Sequence, residues 1–169
     1  MDGGAYNGDT YRELCGIAEV EEAYLFEPDP ANFVQLTRHV AETGRTAQCL
    51  PLGVADSYRA LSFNAGTGEA ASISTTGAAH IAVAALDDVL VGHTVDFIKL
   101  DVEGAELEIL KSFDFDFFKP SVIAVEIHGN NLQECLKSDE ARLILGKGYQ
   151  FVGSAVITQF FARKDEILV

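Results

Sequence analysis

Glycines and side chains able to bind charge or carry protons follow the short apolar runs of this chain in five places. They are Asp2-Gly3-Gly4-Ala5-Tyr6-Asn7-Gly8, Glu27, Gly53 to Asp56, Asp101-Val102-Glu103-Gly104 and Glu126-Ile127-His128-Gly129. In an open parallel sheet a ligand binds beyond the carboxyl ends of the strands, so these tips meet in one crevice if the apolar runs are parallel strands. Carboxylates together with glycines make an electronegative pocket into which backbone can approach closely. A cationic small molecule bearing hydroxyls and an adenine suits such a pocket. A triphosphate does not, because the chain has no GxxxxGK[ST] loop. The glycine segment also departs from the GxGxxG dinucleotide pattern, since Gly4 and Gly8 are four apart with Ala5, Tyr6 and Asn7 between them.

The elements that must position these tips follow from periodicity and punctuation. Ala23 to Phe26 reads as a short strand leading into Glu27-Pro28-Asp29-Pro30, where Asp29 caps a helix whose first turn accepts Pro30. That helix runs to about Thr43, with Phe33, Leu36 and Val40 as its apolar face, Val34, Thr37 and Ala41 alongside, and Gly44 as a left-handed C-terminal residue. A further strand is expected around Ala47 to Leu52, then a β-rich excursion from Ala60 to Leu86 broken by Gly66, Gly68 and Gly77. Leu86 to Val91 predicts one helical turn capped by Asp87 and Asp88, and Val95 to Leu100 a buried strand with Asp101 at its edge. Ala105 to Phe113 has helical periodicity, and Pro120 separates a Phe-rich linker from a central strand over Ser121 to Ile127. A helix from about Asn131 to Gly146 and a hairpin of Gln150 to Val156 with Gln159 to Ala162 complete the chain. The pattern predicts a single α/β domain over 1–169, built on a mostly parallel sheet closed by an antiparallel hairpin.

Composition narrows the partners. The chain has 169 residues, with 12 Lys+Arg against 26 Asp+Glu and a formal charge of -14. A surface this acidic repels phosphate backbones, which argues against a nucleic-acid partner. The longest apolar stretches, such as Ile81 to Leu86, fall far short of the roughly 20 residues needed to span a bilayer, and no basic segment followed by an apolar one opens the chain. Cys15, Cys49 and Cys135 are odd in number and widely spaced, which fits reduced thiols and a cytoplasmic protein.

Together these pieces resemble the FkbM-like family of S-adenosylmethionine-dependent methyltransferases. The likeness is carried by Asp2 to Thr10 (DGGAYNGDT), Phe26 to Phe33 (FEPDPANF), Leu86-Asp87-Asp88 and Ile98 to Glu106 (IKLDVEGAE). It implies a class I, Rossmann-like methyltransferase fold, a seven-stranded sheet with a reversed last strand, and methyl transfer from S-adenosylmethionine to hydroxyl groups of small molecules or sugars. Carried over by position, Asp2 and the loop Gly3, Gly4, Ala5, Tyr6 and Gly8 hold the methionine end of the cofactor. Glu27, with Pro28 beside it, accepts hydrogen bonds from the ribose hydroxyls, although a solvated loop acid is the plainer alternative. Asp56 reaches the adenine amino group or is simply a turn aspartate before Ser57. Asp101 and Glu103 lie at the mouth, and Glu103 also suits a cap for the helix near Gly104.

Methyl transfer asks mainly for in-line positioning of the acceptor, with a base to help a poorly acidic hydroxyl. His128, whose ordinary pKa is about 6.5, is placed to take that proton; the alternative is a histidine bonded to a loop carbonyl. A metal-assisted variant through Asp101, Glu103 and His128 is conceivable from their donor atoms, but no metal is assigned. Lys99 on a buried strand needs a partner and reads as structural.

One departure from the family pattern stands out. Asp2 should end the first strand, which lies mid-sheet, and only Met1 precedes it. Losing that strand would leave two neighbours unpaired and remove buried side chains at about 1.5–3 kcal/mol each, a loss comparable to a domain's net stability. The expectation is a truncated methyltransferase domain with an exposed sheet edge through which copies could associate. The competing readings are a non-catalytic cofactor-binding or partner-binding remnant and a dinucleotide-dependent oxidoreductase.

Overall fold

The apolar runs become strands where they can be covered on both faces, and amphipathic runs become the covering helices. The computed structural model describes residues 1–64, 72–73 and 79–166. In chain order the first half holds β1 (Asp2–Gly3), α1 (Asp9–Ile17), β2 (Tyr24–Phe26), α2 (Pro30–Glu42), β3 (Gln48–Leu50), β4 (Gly53–Ala55), β5 (Arg59–Asn64), β6 (Ser72–Ile73), β7 (Ala79–Ala85) and α3 (Leu86–Val89). The second half holds β8 (Phe97–Leu100), α4 (Glu106–Ser112), α5 (Phe115–Phe118), β9 (Val122–Glu126), α6 (Leu132–Cys135), α7 (Asp139–Gly146), β10 (Tyr149–Ala155) and β11 (Thr158–Arg163).

Seven strands form one sheet in the order β10-β11-β9-β8-β1-β2-β3. Only β11 runs against its neighbours, so the sheet is mostly parallel and is closed by the expected hairpin. Side chains alternate between its two faces. Phe26, Leu100, Ile123 and Phe161 enter a cluster with Leu86, Ile109 and Ile144, while Leu25 packs with Tyr11, Leu36 and Val40 from α1 and α2. The segment between β3 and β8 folds into a second sheet, β4-β7-β5-β6. The expected breaks at Gly66, Gly68 and Gly77 lie outside the described residues.

Both ends of α2 agree with the sequence reading. Asp29 accepts hydrogen bonds from the amides of Ala31 and Asn32 at 2.8 and 3.1 Å, with Pro30 in the first turn, and Gly44 takes φ +66° just past the helix. Leu36 and Val40 are buried as expected, but Val34 is 66% exposed and lies on the outer face.

Several expectations are corrected. The centre of the sheet is not empty: β1 occupies it with two residues, Gly3 standing opposite both Phe26 and Leu100. Its neighbours are bonded through it, Lys99 N–H donating to Met1 O at 2.9 Å and Asp101 N–H to Gly3 O at 3.0 Å. Beneath β1 lies a cavity of about 610 Å³ lined by Met1, Tyr11, Tyr24, Leu90, Val95 and Phe97. The helix expected over Asn131 to Gly146 is two helices, because Asn131 caps α6 and Ser138 caps α7 separately. The Phe-rich linker contains α5, capped by Asp114, and α1 follows the glycine loop directly. Asp87 does not cap α3 but accepts from the amide of Asp114 at 3.1 Å.

Candidate active site

Parallel register brings the strand ends together. Gly3 lies level with Phe26 on one side and Leu100 on the other, and Leu100 lies level with Val125. The next residues in each segment are therefore Gly4, Glu27, Asp101 and Glu126, which form a continuous rim across four adjacent strands.

The glycine loop is fastened to this rim by backbone bonds. Gly4 N–H and Ala5 N–H both donate to Phe26 O, at 3.1 and 2.9 Å, and Gly8 N–H closes the turn onto Ala5 O. Gly4 has φ +76°, and a Cβ there would lie 1.8 Å from Asp101 O, so only glycine fits between β8 and the loop. Tyr6, at φ +49°, turns its amide onto Glu27 Oε2 at 2.8 Å. Glu27 Oε1 takes the amide of Asp29, also at 2.8 Å, so this buried carboxylate joins the loop to the start of α2. Burial pushes the Glu27 carboxyl above its ordinary pKa. Pro28, half-buried, faces Gly53 at the start of β4.

Lys99 is the cation of the site. Its buried ammonium lies 3.2 Å from Asp2 Oδ1, 3.1 Å from Asp101 Oδ2 and 3.4 Å from Gly4 O. Burial opposes the charge, but Asp2 and Asp101 outweigh it and raise the lysine above its ordinary value. Burial raises the Asp2 carboxyl despite Lys99, and Asp2 Oδ2 has no hydrogen-bond partner among the described residues. Asp2 thus sits under the loop, buried, and reaches the rim through Lys99. Asp101 stays below the usual carboxylate range: burial pushes it up, but its polar neighbour Glu126 and the charge of Lys99 prevail.

On the far side of Asp101, Glu126 ends β9 with its side chain 5% exposed, and its Oε1 lies 3.3 Å from Nε2 of His128, which is 70% exposed. Burial, Asp101 and the nearby Glu103 and Glu106 push the Glu126 carboxyl up to about 8. Glu103 is exposed at φ +57°, and one ligand-capable atom each from Glu103, Glu126 and His128 lie within 4.8 Å of one another. The expected cap by Glu103 is corrected. The carboxylate that satisfies the loop amides is Glu106, accepting from Val102 at 2.9 Å and Gly104 at 3.0 Å, because the left-handed turn at Glu103 and Gly104 folds the loop back over it.

Asp56 follows β4 in the second sheet; it is exposed and paired with Arg59, whose guanidinium holds its carboxyl low. Glu106 was not assigned from sequence, Lys99 was read as structural without its partners, and Glu126 was placed at a strand end without a role. The signal for Glu126 was present, since it directly follows the apolar run of β9, one strand over from Asp101.

A family model described as Methyltransferase FkbM domain matches residues 2–151. The chain belongs to the FkbM methyltransferase family. No curated protein and no solved structure matches it. The matched span of this FkbM protein takes in every rim residue from Asp2 to His128 and all of the seven-stranded sheet except β11 and the end of β10. Among its described residues no helix is long and apolar enough to cross a membrane.

Proposed function

We propose that this FkbM protein transfers a methyl group from S-adenosylmethionine to a hydroxyl oxygen of a small molecule or carbohydrate, on a class I, Rossmann-like methyltransferase fold. The observation that carries the reading is the rim itself, with a glycine loop, a buried Glu27 and an ionised Asp101 on adjacent strand ends. The sheet order with a single reversed strand supports the fold class. The free state of Cys15, Cys49 and Cys135 supports a reducing, cytoplasmic setting.

The residues present fit the donor. Each Glu27 oxygen accepts one backbone amide and keeps acceptor capacity for a hydroxyl, as a ribose diol requires. Gly4 and Gly8 hold the loop in left-handed turns packed tightly against Asp101 O and the Leu36 side chain, which fixes the loop backbone at the rim beside the place the methionine end would take, and the acidic rim favours a cation. When bound, S-adenosylmethionine supplies an electrophilic methyl on a sulfonium. The chain's own work is to hold the acceptor in line at the mouth beside Asp101 and Glu103, and to take the hydroxyl proton on His128.

The test is calorimetric titration with S-adenosylhomocysteine. Binding is expected for the wild type and about tenfold weaker binding for Glu27→Gln, the worth of one charge-assisted hydrogen bond. His128→Ala should bind as wild type, because His128 meets the acceptor. Absence of binding by the wild type overturns the proposal.

A further inference from the structure

Glu126, the last residue of β9, carries a carboxylate that the chain buries without using. Its side chain is 5% exposed, and its Oε2 has no hydrogen-bond partner among the described residues. Its Oε1 lies 3.3 Å from Nε2 of His128, a contact outside hydrogen-bond geometry. A buried polar group is ordinarily satisfied, so a carboxylate left this way calls for a partner from outside the chain. The neighbours say which kind. One ligand-capable atom each from Glu103, Glu126 and His128 lie within 4.8 Å of one another. Around a tetrahedral zinc ion with bonds of about 2.0–2.1 Å, two donor atoms stand about 3.3–3.4 Å apart, which is the separation already held between Glu126 and His128. Glu103 is exposed and closes the remaining distance by rotation about its side-chain bonds.

We propose that Glu103, Glu126 and His128 form a binding site for a divalent transition-metal ion of the zinc type, with two carboxylate oxygens and one imidazole nitrogen as ligands and the fourth position open at the mouth. The other nearby carboxylates are committed elsewhere. Asp101 Oδ2 is held by Lys99 at 3.1 Å, and Glu106 takes the amides of Val102 and Gly104. Both still add negative charge around Glu126, which a cation relieves. The imidazole decides the class of ion, because nitrogen ligands suit zinc whereas magnesium and calcium prefer oxygen alone. The site itself does not depend on the methyl-transfer reading. Where the two meet, an ion on Nε2 occupies the lone pair that would take the acceptor's proton, so the metal-bound and proton-accepting states of His128 exclude each other.

The experiment is calorimetric titration of the full chain with zinc chloride and, separately, magnesium chloride, beside cobalt(II) read by its visible absorption. Wild type should take up a single zinc ion, and magnesium at least about a hundredfold more weakly. Glu126→Gln, Glu103→Gln and His128→Ala should each weaken zinc binding by at least about tenfold, with circular dichroism verifying the fold. Glu103 and His128 are exposed, so their variants decide the matter even where Glu126→Gln fails to fold. Asp56→Ala, which changes an exposed acid beyond β4, should bind zinc as wild type does. The cobalt spectrum should show ligand-field bands without a thiolate charge-transfer band, which keeps Cys15, Cys49 and Cys135 out of the site. Absence of stoichiometric zinc binding, zinc affinity unchanged in the Glu103 and His128 variants, a thiolate band, or magnesium bound as tightly as zinc overturns the proposal. Titrating the same samples with S-adenosylhomocysteine keeps the two questions apart, since failure to bind it removes the methyl-transfer reading while the metal result stands.

Discussion

Replacing Lys99 by Met would take its ammonium out of the floor of the rim and leave the carboxylates of Asp2 and Asp101 without the cation that lies between them. In the folded chain the ammonium is 3.2 Å from Asp2 and 3.1 Å from Asp101, with side-chain exposures of 11%, 5% and 38% for Lys99, Asp2 and Asp101. Removing one partner of a buried pair costs about 3–5 kcal/mol. Solvent screens the Asp101 arm, so the low end, about 3 kcal/mol near neutral pH, is expected. For a chain of this size that lowers the melting temperature by about 6–12 °C. The pH dependence carries the sharper test. Asp2 already has a raised carboxyl, mainly from burial, and losing Lys99 raises it further. A folded-state value above the unfolded one means the native state binds the proton more tightly, so stability falls as pH climbs from the unfolded value through the folded one. The deficit relative to wild type should therefore be small below pH of about 4 and grow toward neutrality. Urea unfolding followed by circular dichroism at several pH values measures it, and Asp2→Asn in the Lys99→Met background should recover part of the loss. A deficit that is constant with pH, or larger in acid, would refute the buried-pair account.

Other outcomes test separate parts of the structure. Gly4→Ala forces a Cβ to 1.8 Å from Asp101 O at φ +76°, and should cost at least about 2 kcal/mol in urea unfolding while abolishing binding of S-adenosylhomocysteine. Asp29→Ala removes the acceptor for two α2 amides and should cost about 1 kcal/mol, read as a lowered melting temperature. Asp56→Ala should change affinity for S-adenosylhomocysteine by less than about threefold, since the carboxylate is exposed and engaged with Arg59; a tenfold loss would place Asp56 on the adenine.

What the sequence disclosed was whatever depends on near neighbours. Asp29 ahead of Pro30, and Gly44 after the last turn, specify α2 through contacts a few residues apart. The strand ends were equally legible, because apolar runs stop at charged residues or glycine. Hidden features depend on backbone angles or on distant partners. Ser138 looks like any polar helix residue until its side chain accepts from Ala141 and starts α7. Glu103 and Glu106 are both plausible caps until φ +57° at Glu103 turns the loop toward Glu106. Lys99 finds Asp2 only because β1 and β8 pair in parallel, and two residues of β1 suffice to set that register.

Among the described residues the mouth is made of the ends of four neighbouring strands. Heat inactivation should consequently coincide with loss of the whole sheet, so that ligand capture vanishes at the temperature where the far-ultraviolet signal does. Whoever seeks a sturdier catalyst from this scaffold would do better to reinforce the β1 seam between β2 and β8 than to redesign its surface.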